Sequence, residues 1–105
     1  MSTQWVRICH TAELLPGEVQ VGWDGDTAIA VFNIDGMLYA IEDVCTHDGG
    51  ELVGGPIIGH EVECLRHGAR FDVRTGEATR LPACEPTAKF PVKVEDGWVW
   101  SRDDR

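Results

Sequence analysis

Two short cysteine and histidine pairs carry most of the chemistry that this sequence offers. One residue separates Cys45 from His47, and two residues separate Cys64 from His67. Sixteen residues lie between the two pairs, and glycine stands close to each. Thiolate and imidazole are the ligands that zinc and iron–sulfur centres take from proteins. The spacing therefore predicts one metal centre with two cysteine and two histidine ligands.

Mixed ligands suit a centre that must accept an electron. Two thiolates cancel the two positive charges of an oxidised [2Fe–2S] core, and neutral imidazoles add no charge. Four thiolates would leave the same core negative, so an added electron would meet stronger repulsion and the reduction potential would fall. Histidine ligation eases reduction, and the ring N–H couples the potential to pH. The same four side chains would also suit a structural zinc ion, so both hypotheses stay open at this point.

The two pairs resemble the cluster motifs of the Rieske-type ferredoxins, and the resemblance extends over nearly the whole chain. It implies one [2Fe–2S] cluster whose inner iron is bound by Cys45 and Cys64. The outer iron would be bound by His47 and His67, close to the protein surface. The second loop of this family usually reads Cys-Pro-x-His-Gly, whereas Leu65 replaces the proline here. That replacement leaves the ligands unchanged and restores one backbone N–H to the loop.

Positions beside the ligands indicate which branch of the family the chain resembles. Respiratory Rieske proteins join the two loops by a disulfide, but its two positions are Gly50 and Arg66 here. The serine and tyrosine whose hydroxyls bond the cluster sulfurs are replaced by Ala69 and Phe71. Because such bonds stabilise the reduced cluster, their loss predicts a potential toward the negative end of the Rieske range, about −150 mV.

A low-potential carrier of this kind resembles the ferredoxin components of bacterial aromatic-ring dioxygenase systems. The resemblance implies an electron carrier rather than an enzyme, which takes electrons from a flavin-dependent NAD(P)H reductase and delivers them to a terminal oxygenase. Docking would occur near His47 and His67. Leu65 and Arg66 would lie on the docking face, and residues 81–83 would cover the cluster. A small Rieske subunit of another reductase remains as an alternative.

The elements that must position these residues are short strands. β-Prone runs alternate with glycine, proline and aspartate, which predicts an all-β antiparallel sandwich or small barrel. Tight turns are expected at residues 35–36 and 96–97, with another at 74–77 and one helical turn within 11–15. The predicted strands cover residues 5–8, 18–23, 27–34, 37–41, 61–64, 69–73, 90–95 and 98–101.

The length of 105 residues predicts a single domain, 1–105. Within it the two ligand loops would form a cluster-binding part at about 43–84. The first of these loops, residues 43–56, has no hydrophobic periodicity and contains several glycines, which permit sharp bends around a compact centre.

Composition excludes several classes of function. A net charge of −9 argues against nucleic acid as a partner, because nucleic-acid binders present a basic face. The N-terminal segment has neither the charge nor the apolar run of a signal peptide, and no segment is apolar enough to cross a bilayer. These features predict a cytoplasmic protein without a membrane anchor, and we expect a monomer.

The remaining cysteines and histidines are not expected to bind a metal. Cys9 and Cys84 lack a partner pattern and are predicted to be buried structural residues. His10 and His60 are predicted to be surface residues rather than ligands of a second iron, which would need two histidines and a carboxylate around an open site.

Overall fold

The computed structural model describes residues 4–105, which form three antiparallel sheets. The first sheet has the order β1-β11-β10 and consists of β1 (Val6–His10), β10 (Val92–Glu95) and β11 (Trp98–Ser101). The second has the order β2-β3-β4-β9 and consists of β2 (Val19–Asp24), β3 (Thr27–Ile34), β4 (Met37–Glu42) and β9 (Lys89–Phe90). The third has the order β5-β6-β7-β8 and consists of β5 (Ile57–Ile58), β6 (Glu61–Glu63), β7 (Arg70–Asp72) and β8 (Ala78–Arg80). The all-β antiparallel prediction is confirmed.

β3 is the central strand because both of its faces are buried. Ala30, Phe32 and Ile34 belong to a core shared with the third sheet and the ligand loops. The alternate residues Ile29 and Val31 belong to a second core shared with the first sheet. Successive side chains of a strand point to opposite faces, so an apolar strand can serve two cores. The second sheet therefore lies between the other two.

The predicted tight turns are confirmed by backbone angles. Asp35 and Gly36 connect β3 to β4 with φ of 54° and 91°, and Asp96 and Gly97 connect β10 to β11 with φ of 55° and 80°. Positive φ at both central residues is the geometry of a type I′ hairpin, which matches the twist of the paired strands. The sequence signal works here because aspartate and glycine tolerate these angles.

The predicted bounds of β3 and β11 are correct, and the other predicted strands that form differ by one or two residues at their ends. The exception is the run 90–95, which the structure divides at Pro91 into β9, paired with β4, and β10, paired with β11. Proline lacks the N–H that a continuous ladder requires. The division lets one run of sequence join two sheets.

The structure also contains two very short strands and one helical turn. β5 and β8 are two and three residues long, and neither was predicted, because such short segments show no alternation. Residues Thr11–Glu13 form the expected helical turn, as a 3-10 helix capped by the His10 side chain, which accepts a hydrogen bond from the Ala12 N–H. Within residues 4–105, no helix is long and apolar enough to span a membrane.

Candidate metal centre

The first ligand loop follows β4 and turns around Cys45. The Cys45 N–H donates to the Gly50 carbonyl at 2.7 Å, and the Gly49 N–H donates to the Cys45 carbonyl at 2.7 Å. Gly49 has a φ of 77°, in the left-handed region that favours glycine. These bonds close a tight turn, and the side chain of His47 is exposed at its tip.

The second ligand loop, between β6 and β7, repeats this geometry. The Cys64 N–H donates to the Ala69 carbonyl at 2.7 Å, and the Gly68 N–H donates to the Cys64 carbonyl at 2.9 Å. Gly68 also has a φ of 77°. Each loop thus begins with a cysteine and returns through a glycine four residues later, with its histidine between them. This is the physical reason for the glycines beside both pairs.

A third turn of the same form connects β7 to β8 but contains no cysteine or histidine. The Asp72 N–H donates to the Glu77 carbonyl at 2.9 Å, and the Gly76 N–H donates to the Asp72 carbonyl at 2.7 Å. The turn is therefore a general hairpin device of this fold, and the residue types placed on it decide whether it can bind a metal.

Tertiary packing brings the four predicted residues together in two layers. Cys45 and Cys64 are fully buried, and their sulfur atoms lie within 4.8 Å of each other. The imidazoles of His47 and His67 lie outside them at the surface, with ring centroids 5.1 Å apart and planes at 87°. The expectation that both histidines lie near the surface is confirmed. Buried sulfurs and exposed imidazoles give a centre with an inner and an outer side.

Asp48 is an additional member of this cluster that the sequence reasoning missed. A carboxylate oxygen of Asp48 lies within 4.8 Å of both cysteine sulfurs. Its Oδ2 lies 3.5 Å from Nδ1 of His67 and 2.6 Å from Nε of Arg66. The Arg66 guanidinium holds the pKa of this carboxyl well below its usual range. Asp48 is therefore an anion whose charge is balanced from the opposite loop.

Burial raises the pKa of the Cys45 thiol, because a thiolate is poorly solvated in the core. The backbone N–H groups of His47 and Asp48 act in the opposite direction and stabilise the thiolate. N–H groups directed at a cysteine sulfur are a means by which proteins tune iron–sulfur clusters. The donor set of two buried sulfurs and two surface nitrogens fits a mixed-ligand cluster.

Asp43 fixes the far side of the first loop and was also missed. Its carboxylate is buried, and Oδ1 accepts hydrogen bonds from the N–H groups of Leu52 at 2.8 Å and Val53 at 2.9 Å. A buried side-chain acceptor of this kind replaces the strand pairing that this loop lacks. The available signal was an aspartate at the start of a loop rich in glycine.

The other cysteines and histidines are not part of the group that Cys45, Asp48 and Cys64 form. His10 caps the 3-10 turn, and the ring of His60 packs edge-on against Tyr39 at 6.0 Å. Cys9 is buried, as predicted. The prediction that Cys84 is buried was wrong: it is exposed in the loop after Pro82, where no strand pairing carries its side chain into the core.

Residues 81–83 lie between β8 and β9. Leu81 is 73% exposed, whereas Ala83 is buried in the same core as both cysteines. The segment therefore joins the cysteine core to the protein surface, and an apolar side chain stands on its outer side.

Comparison with known proteins identifies the family to which this arrangement belongs. A family model described as the Rieske [2Fe-2S] domain matches residues 4–91, which include both ligand loops. The ferredoxin component of biphenyl 2,3-dioxygenase from Rhodococcus jostii (strain RHA1) is 42% identical over 89 residues, covering 85% of this chain and 83% of that protein.

Solved structures agree with this match. The ferredoxin of carbazole 1,9a-dioxygenase from Nocardioides aromaticivorans IC177 has a TM-score of 0.90 at 29% identity, covering 97% of this chain and 100% of that one. A structure of reduced oxygenase and oxidized ferredoxin of carbazole 1,9a-dioxygenase in complex contains a chain with a TM-score of 0.88 and 31% identity, covering 96% of this chain and 94% of that one. On the sequence and structural matches together, the chain belongs to the Rieske [2Fe-2S] domain family.

Proposed function

We propose that this protein is the one-electron carrier of an aromatic-ring dioxygenase system and that Cys45, His47, Cys64 and His67 bind its Rieske-type [2Fe–2S] cluster. The observation that carries the proposal is the two-layer arrangement, with paired sulfurs in the core and paired imidazoles at the surface. A bound cluster supplies the one-electron acceptance and release that the side chains lack.

The surroundings of the candidate ligands favour a low potential. Ala69 and Phe71 are fully buried, and neither carries a hydroxyl that could bond a sulfur. Backbone N–H groups near Cys45 are the donors that the loop does provide. We therefore place the potential toward the negative end of the Rieske range, where a carrier can be reduced by a flavin-dependent reductase.

The surface around the imidazoles suits brief docking to other proteins. Leu65 is 68% exposed and stands two residues before His67. Leu81 is 73% exposed and follows β8, which pairs with the strand that comes after the second ligand loop. Relatives of this chain are named as ferredoxin components of dioxygenase systems, and one solved relative is in complex with its oxygenase. By analogy, a terminal oxygenase and a flavoprotein reductase would dock at this end of the protein in turn.

We further propose that the protein works as a cytoplasmic monomer. The domain would comprise residues 1–105, with the cluster-binding part at about 43–84. Small carriers that exchange partners rapidly use small interfaces, and a net charge of −9 favours solubility and electrostatic steering.

The first test is the metal content of the purified protein together with its EPR spectrum after dithionite reduction. We expect about two iron and two sulfide ions per chain and the low average g value of a histidine-ligated cluster. One zinc ion without sulfide, in protein produced with ample iron, would instead support a structural zinc site.

The ligand assignment is tested by His67→Ala, with His60→Ala as the matched control. His67→Ala should lose the cluster because one iron loses a ligand, whereas His60→Ala should retain the iron of the native protein. Native iron content in His67→Ala would refute the assignment. If the loaded carrier reduces a different acceptor but no terminal oxygenase, the alternative of a small Rieske subunit of another reductase is favoured.

A further inference from the structure

Arg66 extends from the second ligand loop across to the first. Its Nε and Nη2 atoms lie 2.6 Å and 3.1 Å from the two carboxylate oxygens of Asp48, which is a bidentate ion pair. Nη2 also donates to the Glu51 carbonyl at 2.9 Å. One side chain therefore makes three contacts with the opposite loop.

Gly50 provides the space for this guanidinium. A Cβ atom at position 50 would lie 2.5 Å from Cζ of Arg66, so a larger residue there would displace the guanidinium from its present position. Neither position 50 nor position 66 carries a cysteine, so no disulfide can join the loops there and the ion pair is a noncovalent connection between them.

Comparison with Arg74 shows that the turn geometry alone does not direct an arginine at this position toward another loop. Arg74 stands two residues after Asp72, as Arg66 stands two residues after Cys64, in a turn with the same hydrogen bonds. Arg74 pairs with Asp72 of its own turn, at 2.9 Å and 3.1 Å. Arg74 makes its ion pair within one turn and Arg66 makes its ion pair between two loops, so Arg74 is a control for the effect of an exposed arginine–aspartate pair.

The pair also sets the charge beside the sulfurs. A carboxylate oxygen of Asp48 lies within 4.8 Å of both cysteine sulfurs, where its negative charge would oppose the addition of an electron. The guanidinium of Arg66 cancels that charge at 2.6 Å. Removing either partner leaves a full charge of one sign next to the sulfurs.

We propose that Arg66 and Asp48 form an ionic clasp that holds the two cluster loops together in place of a covalent bridge and keeps the charge beside the cysteine sulfurs neutral. Both are positioning residues and neither is a ligand. The inference rests on the proposed function in one respect, namely that the cluster is bound between these loops.

The closure of the loops is tested by the rate at which an excess of an iron chelator removes iron from the loaded protein. Arg66→Gln should release iron about fivefold faster than the native protein, and Arg74→Gln should release it at the native rate. Raising the salt concentration should accelerate release from the native protein but not from Arg66→Gln, because salt screens a partly exposed ion pair. Equal rates in all three proteins would overturn the clasp.

The charge balance is tested by the midpoint potential. Arg66→Gln should lower it, because the Asp48 charge is left uncompensated, and Asp48→Asn should raise it, because the Arg66 charge is left uncompensated. The double variant should return to near the native value. Shifts of the same sign in both single variants would show that the pair acts only through loop structure and would overturn the charge role.

If Arg66→Gln does not bind a cluster, Arg66→Lys tests the same proposal. Lysine retains the charge but loses the two parallel hydrogen bonds, so iron release should be faster while the potential stays near its native value. Native rates in Arg66→Lys would refute the bidentate clasp. If the native protein contains no iron or sulfide, the proposed function itself has failed, and that result is obtained before any variant is compared.

Discussion

Replacement of Asp43 by alanine should weaken the fold through the first ligand loop. The buried carboxylate accepts hydrogen bonds from Leu52 and Val53, and alanine leaves both N–H groups without that acceptor. An unsatisfied buried donor costs about 1–3 kcal/mol. Leu52 is almost fully buried and Val53 is partly exposed, so we take about 2 kcal/mol for the first and about 1 kcal/mol for the second.

The combined loss of about 3 kcal/mol should lower the melting temperature by about 15 °C in a domain of this size. The assay is thermal unfolding followed by circular dichroism, with visible absorbance recorded at the same scan rate to detect cluster loss. Bleaching should coincide with or precede unfolding, because the anchored loop contains two of the predicted ligands.

Asp43→Asn is the matched control because its amide oxygen still accepts a hydrogen bond. The free energy of unfolding should fall by only about 1 kcal/mol, which is the part of the hydrogen-bond energy that the carboxylate charge contributes. An Asp43→Ala protein that melts within about 2 °C of the native protein would refute the reasoning, since the two N–H groups would then have another acceptor.

Three further outcomes are expected. Ala69→Ser should raise the midpoint potential by about 40 mV if its hydroxyl reaches a sulfur, and protein-film voltammetry that shows no change would contradict that contact. Gly76→Ala should destabilise the protein by about 2 kcal/mol or more, because φ is +84° and a Cβ would lie 2.2 Å from the Thr87 carbonyl oxygen. Gly17→Ala is the control in the same melting assay: its φ of +89° imposes a similar backbone strain, but nothing lies near the added Cβ. The difference between the two variants measures the clash at position 76. Cys84→Ser should leave iron and sulfide content unchanged, and lost iron would show that this exposed cysteine takes part in cluster binding.

Several features followed from the sequence because they depend on neighbouring residues. The type I′ turns at Asp35-Gly36 and Asp96-Gly97 require only local backbone angles. Each cysteine, its histidine and the closing glycine lie within five residues of one another, so a single turn positions them. Six of the eight residues of β3 are apolar, and this strand was predicted with its correct bounds for the same local reason.

Short or divided strands were harder to predict. β5 and β8 exist only because they pair with β6 and β7, and a segment of two or three residues has too few side chains to show a period. Pro91 divides the predicted strand 90–95, and its effect depends on which sheets stand on either side. The exposed position of Cys84 likewise reflects the path of a loop rather than its composition.

The sequence by itself determined the two cysteine–histidine pairs as the candidate metal-binding motif, because the two members of each pair lie within four residues of each other. Tertiary structure decided what surrounds that centre. Asp43 meets the N–H groups of Leu52 and Val53, and Arg66 meets Asp48 from a separate loop, only because packing against the core fixes the distance between segments. Contacts between side chains of separate loops depend on those distances, and the order of residues along the chain does not specify them.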